Sequence, residues 1–222
     1  MIRSVGSAVV LSFLLFLSSA AFANSEGELL NFQGLGDLQP VGNFYNGGGM
    51  PFTPNYGVTF SSKFFGLRSV YNGGSGAFAA NPTGTPAIFM NGAMGSTVTG
   101  YMNVNGGFGG GIQFFYTAGF SETVTVWSGA NGTGTVLATI ALAPNNGSCT
   151  GFPTYCNWSS AGLNFSGSAK SVTFTGTADG IGLADITLGS SSTAIPEPST
   201  FYLLGTGLVG VSLSRLRKLI GV

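Results

Sequence analysis

Two cysteines, seven acids, seven bases and two tryptophans are what this 222-residue sequence offers for chemistry, and it contains no histidine. Without an imidazole the commonest general base, proton shuttle and zinc ligand are missing. Ser-His-Asp and Cys-His nucleophile systems are excluded for the same reason. A pair of carboxylates could still hydrolyse a glycosidic bond. The acids between the two ends (Glu26, Glu28, Asp37, Glu122, Asp179 and Asp185) are scattered, however, and no spacing pairs two of them. The sequence therefore reads as non-catalytic, with no catalytic residues to name.

Binding chemistry is better represented. Asp185 lies in an alternating segment near the end of the body, and a calcium site would combine it with Gln33 or Asp37. That pairing is what a resemblance to jelly-roll binding domains implies, in which a comparable acid holds calcium with an acid near the first strand; here Ala184 and Gln33 replace such carboxylates, and calcium prefers several oxygens, some of them charged. A solvated or hydrogen-bonded strand acid is the leading reading, so the cofactor expectation is none, with calcium the alternative. Trp127, Tyr155 and Trp158 could stack on sugar rings if one rim exposed them together. Aromatic residues serve more often as core. Cys149 and Cys156 enclose Thr150-Gly151-Phe152-Pro153-Thr154-Tyr155, a turn-rich loop without redox C-x-x-C spacing. Export would put the pair in an oxidising compartment, where a structural disulfide is expected.

Both ends carry signals for membranes. Arg3 precedes an apolar run from Val9 to Leu17, and Ala21-Phe22-Ala23 supplies an A-x-A cleavage site. This is a secretory signal peptide over 1–23, with Ala21 and Ala23 at the cut. At the other end a Ser/Thr linker, 190–195, leads to Pro196-Glu197-Pro198, an apolar run from Phe201 to Leu213, and Arg215, Arg217 and Lys218. Two prolines at alternate positions resist helix and central strand, so the tripeptide stays extended. The 16 residues Ser199–Ser214 make about 24 Å of helix, a short span for a hydrocarbon core of about 30 Å. The basic cluster holds that end in the cytoplasm.

Residues 196–222 resemble the PEP-CTERM sorting signal of Gram-negative bacteria: Pro-Glu-Pro, a short transmembrane helix, then a basic tail. Ile195-Pro196-Glu197-Pro198-Ser199-Thr200, Leu203-Leu204-Gly205-Thr206-Gly207-Leu208 and Arg215-Leu216-Arg217-Lys218 carry the likeness in order. The resemblance implies an exosortase as processing partner and transient residence in the inner membrane. It further implies delivery to the cell surface or to an exopolysaccharide matrix. Such a tail is an address rather than an activity.

The elements that must position the body's residues are strands. Thr123–Trp127, Val136–Leu142, Ile112–Tyr116, Ser171–Thr175 and Ala184–Leu188 alternate with period two. That pattern groups Val136, Ala138, Ile140 and Leu142 on one face, and Ala184, Ile186 and Leu188 on another. Asn131-Gly132-Thr133-Gly134 is a turn able to join the first two segments as a hairpin. Phe44-Tyr45-Asn46-Gly47-Gly48 and Val70-Tyr71-Asn72-Gly73-Gly74 read as the same turn chemistry used twice. No amphipathic helix interrupts 24–189, which is expected to be an antiparallel β-sandwich, jelly-roll-like in preference to immunoglobulin-like. Its three bases (Lys63, Arg68, Lys170) against six acids leave no basic groove, which argues against a nucleic-acid partner. The expected function is that of an exported, non-catalytic surface or matrix protein. The alternative is a carbohydrate-binding module, with extracellular polysaccharide as partner.

Overall fold

Period-two alternation becomes antiparallel sheet throughout the described part of the chain. In this computed structural model that part comprises residues 27–189 apart from 49–54, 80, 85, 94 and 152. The signal peptide with Ala21 and Ala23, the linker, the Pro196-Glu197-Pro198 motif, the expected membrane helix and Arg215, Arg217 and Lys218 lie outside the described residues. Among the described residues no helix is long and apolar enough to cross a membrane.

Among the described residues ten strands follow in order: β1 (Glu28–Leu30), β2 (Gln39–Pro40), β3 (Val58–Phe60), β4 (Phe64–Leu67), β5 (Ala87–Met90), β6 (Thr97–Ala118), β7 (Glu122–Trp127), β8 (Val136–Leu142), β9 (Ser159–Thr177) and β10 (Ile181–Leu188). β6 and β9, with 22 and 19 residues, are far longer than a usual strand of five or six. They pair along most of their length, yet the ladder shifts between Asn103 and Phe108 and again between Phe108 and Gly110. Glycine concentrates there: Gly107, Gly110 and Gly167 all take positive φ, which a side chain would resist. At this kink the β6–β9 ribbon passes from one layer of a sandwich into the other.

In the first layer, β8, β7, the second half of β9, the first half of β6 and β3 lie side by side. In the second, the first half of β9 and the second half of β6 continue through β10, β5 and β4 to β2, with β1 on β10. The architecture is the expected all-β antiparallel sandwich. Val124, Val126, Val172 and Phe174 point inward from the first layer, Ile112, Phe114, Ile186 and Leu188 from the second, and all are buried. Phe174 links the layers through edge-to-face contacts with Phe64 (5.7 Å between centroids) and Phe114 (6.0 Å). Each ring so buried contributes about 1.5–3 kcal/mol. Gly100 of β6 makes room for this stack, because a Cβ there would overlap the Phe64 ring.

Two alternation readings need correction. A shift between Val126 and Trp127 pairs Trp127 with Val136, making Leu137 an extra residue in β8. Val136 is thereby turned to the outer face, 48% exposed, away from Leu142. Likewise Ala184 pairs with Phe115 and Thr187 with Gln113, leaving Asp185 and Ile186 opposite Phe114. This bulge separates Ala184 from the inner face that Ile186 and Leu188 share. The hairpin β7–β8 forms as expected, with Asn131 and Gly132 at positive φ in its turn. The paired Asn-Gly sequences both close tight turns on a left-handed glycine, Gly47 and Gly73.

Candidate functional site

The outer face of the second layer begins with an apolar strip. Cross-strand pairing puts Leu67 of β4 beside Ala87 of β5, and Phe65 beside Phe89. Two loops fold over this strip. Phe78 and Tyr155, one from each, form a parallel bridge, and Tyr155 N donates to Ala77 O at 3.0 Å. Phe78 packs on Phe89 (5.6 Å) and Trp158 (5.9 Å), and Tyr155 packs on Phe89 (5.6 Å). The polar ends of both large side chains are satisfied: Trp158 Nε1 donates to Ala79 O (2.8 Å) and Tyr155 OH to Asp179 O (2.6 Å). The Cys149–Cys156 disulfide is formed, with its Cα atoms 5.6 Å apart, and closes the second of these loops.

The three aromatic residues singled out from sequence therefore do not converge. Tyr155 and Trp158 belong to the small core beneath the loops. Trp127 lies on the outer face of the other layer, where its Nε1 donates to Thr173 Oγ1 at 2.9 Å.

Beyond the loops the same outer face stays open as a groove of about 470 Å³ running between β1 and β9 over β10 and β6. Leu29 forms an apolar rim, 45% exposed. Gln113 and Phe115 come from β6, Asp185 and Thr187 from β10, and Asn164 from β9. Gly162 pairs with Gln113. A Cβ there would come within 3.0 Å of Gln113 Cγ, so the glycine keeps that wall low. Phe115 and Asp185 are half-buried.

Asp185 is the unusual member. As the bulge residue it takes φ +47°, a left-handed conformation that asparagine and aspartate tolerate better than other side chains. Its carboxylate accepts from the Thr83 hydroxyl, while Oδ1 is buried without a hydrogen-bond partner. Burial raises its pKa above the ordinary carboxylate range, and the Thr83 contact offsets part of that. Thr83 also borders a second cavity, about 720 Å³, whose wall includes Gln33, Arg68, Asn72 and Tyr71, the last 64% exposed.

The candidate calcium ligands have separate roles. Asp37 accepts from Arg68 N (2.7 Å) through Oδ1 and from Ser75 N (3.0 Å) through Oδ2, bracing the loop that follows β4. Gln33 borders the second cavity and Asp185 the groove. Among the described residues no three His, Cys, Asp or Glu side chains gather into a metal-binding group. One further acid, Glu122, is almost fully buried at the start of β7. Its Oε1 accepts from Thr177 N (3.2 Å) and Oε2 has no partner; burial pushes its pKa up to about 7.

Period-two alternation over Ile112–Tyr116 sets Gln113 and Phe115 on the face opposite Ile112, Phe114 and Tyr116, but gives them no role. The available signal was their exposure on a face where neighbouring strands also carry Asn164 and Thr187. Thr83 left no signal, because its contact with Asp185 spans about a hundred residues of chain.

Residues 194–218 match the PEP-CTERM protein-sorting motif, so the chain carries that motif at its C-terminal end. No curated protein matches it. Among solved structures it is similar to a family 29 carbohydrate-binding module complexed with cellulohexaose, at 16% identity and a TM-score of 0.43, covering 79% of this chain and 100% of that one. It is also similar to a family 6 carbohydrate-binding module, at 16% identity and a TM-score of 0.36, covering 74% and 94%. TmCBM61 in complex with beta-1,4-galactotriose matches at 14% identity and a TM-score of 0.36, covering 59% and 86%. Likeness at this level carries no ligand over to this chain.

Proposed function

We propose that this chain is a non-catalytic protein of the cell surface or extracellular matrix. It is exported across the inner membrane behind residues 1–23, held there transiently by its C-terminal segment, and released by an exosortase. The observation that carries this reading is the sorting motif over 194–218. Pro196 and Pro198 keep the backbone out of helix, so a protease can reach it at the lipid surface. The short apolar run retains the substrate beside a membrane-embedded enzyme. Arg215, Arg217 and Lys218 oppose translocation, each costing about 2.5–3.5 kcal/mol at the bilayer centre. Replacing 196–198 by three alanines should trap an uncleaved, membrane-held precursor, scored by fractionation and immunoblotting in an exosortase-bearing host. Processing and release at the wild-type level would refute the assignment.

A second reading concerns what the β domain does once delivered: it binds extracellular polysaccharide. The groove beside Asp185 favours it, since amide, hydroxyl and carboxylate groups surround a half-buried aromatic ring there. Mixed walls of this kind suit sugars, whose rings present apolar faces and hydroxyl edges.

A further inference from the structure

Asp185 presents a chemical demand that the described part of the chain leaves unmet. Oδ1 is a buried acceptor with no donor, although its carboxylate is already held by Thr83. A buried unpaired acceptor is destabilising, and so is a non-glycine residue at positive φ; sites that keep both are enriched in function. The bulge is what turns this residue towards the groove: without the extra residue, β10 would stay in register with β6 from Leu183 to Leu188.

On the polysaccharide-binding reading above, we infer that the groove is a subsite for a neutral sugar, with Asp185 Oδ1 accepting a hydrogen bond from a ring hydroxyl. Phe115 offers its face to the C–H side of the same ring. Gln113 and Asn164, one from each flanking strand, supply amide groups that both donate and accept. Thr83 is a positioning residue, acting through Asp185.

Charge narrows the ligand. Among the described residues lining the groove, Asp185 is the one ionisable side chain, and none is arginine or lysine. A uronic acid or sulfated sugar would set two negative groups together without a cation between them. A calcium ion would meet one carboxylate where it needs several charged oxygens. A hydroxyl satisfies the acceptor without bringing charge.

The test uses the full chain purified in a non-glycosidic detergent. It is first screened against neutral β-glucan, galactan and mannan oligosaccharides and against alginate, then titrated calorimetrically with the best binder. Wild type is expected to bind at least one neutral glycan in preference to alginate. Asp185→Gly removes the acceptor while glycine accepts the left-handed backbone, and should weaken binding at least tenfold with the unfolding temperature maintained. Phe115→Ala and Gln113→Ala remove groove side chains while keeping Asp185 and the backbone pairing of β10 with β6, and should each weaken it at least threefold with the unfolding temperature reported beside it. If wild type binds a neutral glycan and all three variants bind as tightly, the sugar lies elsewhere and the subsite is overturned while polysaccharide binding stands. A loss confined to Trp127→Ala would move the site to the other layer and also overturn it. Preference for alginate would refute the charge argument, and absence of any glycan binding would remove the polysaccharide reading itself.

Discussion

Glu122 enters the core at the start of β7 with one oxygen bonded to Thr177 N–H and the other unpartnered, and exchange for glutamine separates its charge from its shape. The carboxyl fits closely, for a Cβ at Gly176 would coincide with Oε2. Burial is the larger influence on its pKa and the Thr177 N–H the smaller, opposing one; together they raise it from 4.5 to about 7. Tyr155 is close enough to feel the Glu122 charge, and it brings no positive charge. At 1.36 kcal/mol per pKa unit, the shift corresponds to about 3 kcal/mol of pH-dependent stability. The folded chain keeps this proton to higher pH than the unfolded chain does. The stabilisation is therefore complete below pH 4.5, is lost as pH rises from 4.5 to about 7, and then levels off. Glutamine is neutral throughout and retains the Thr177 bond, but its amide nitrogen would sit where Oε2 finds no acceptor, costing about 1 kcal/mol. Glu122→Gln should thus be ~2 kcal/mol more stable than wild type at pH 8, a rise in Tm of about 4–8 °C. At pH 4 it should be ~1 kcal/mol less stable. Thermal unfolding followed by circular dichroism from pH 4 to pH 8 decides this. A Tm difference that does not change with pH would mean the carboxyl is not protonated in the fold, and the argument fails.

Two further perturbations probe the loops over the second layer. Cys149 and Cys156 close a loop of eight residues, worth about 2.5 kcal/mol on the loop-entropy account, so Cys149→Ser/Cys156→Ser should lose that much in urea unfolding without losing export. A difference below ~0.5 kcal/mol would show that the aromatic cluster holds the loop unaided. Asp37→Ala should cost about 1–2 kcal/mol by releasing the N–H groups of Arg68 and Ser75. Burial raises the Asp37 pKa, but those N–H groups and the Arg68 charge outweigh it and hold the carboxyl below its usual range. Its contribution is therefore lost as pH falls, opposite in sign to that of Glu122, and a wild-type-minus-variant difference that grows towards acid would refute the assignment.

Local chemistry was enough to read the C-terminal sorting motif and the existence of the main strands. A proline pair, an apolar run and a basic cluster act through the peptide bond, lipid and charge, so their order alone specified the sorting motif that 194–218 match. Alternation in Thr123–Trp127 and Ile112–Tyr116 reflects side chains on opposite faces of one strand, which needs no distant partner. The disulfide was legible because the sequence has two cysteines flanking a turn-rich loop, without redox spacing, in a chain expected to be exported. What tertiary structure decided was everything set by register. The extra residue opposite Trp127 in β8 turned Val136 outward, and the bulge at Asp185 depended on what β6 presented across from it. Tyr155 and Trp158 became core because a distant loop brought Phe78 and Ala79 over Phe89. The meeting of Thr83 with Asp185 follows from the same long-range closure. Composition fixes which groups are available, but a carboxylate becomes a candidate binding group only when pairing buries one oxygen and leaves it without a donor.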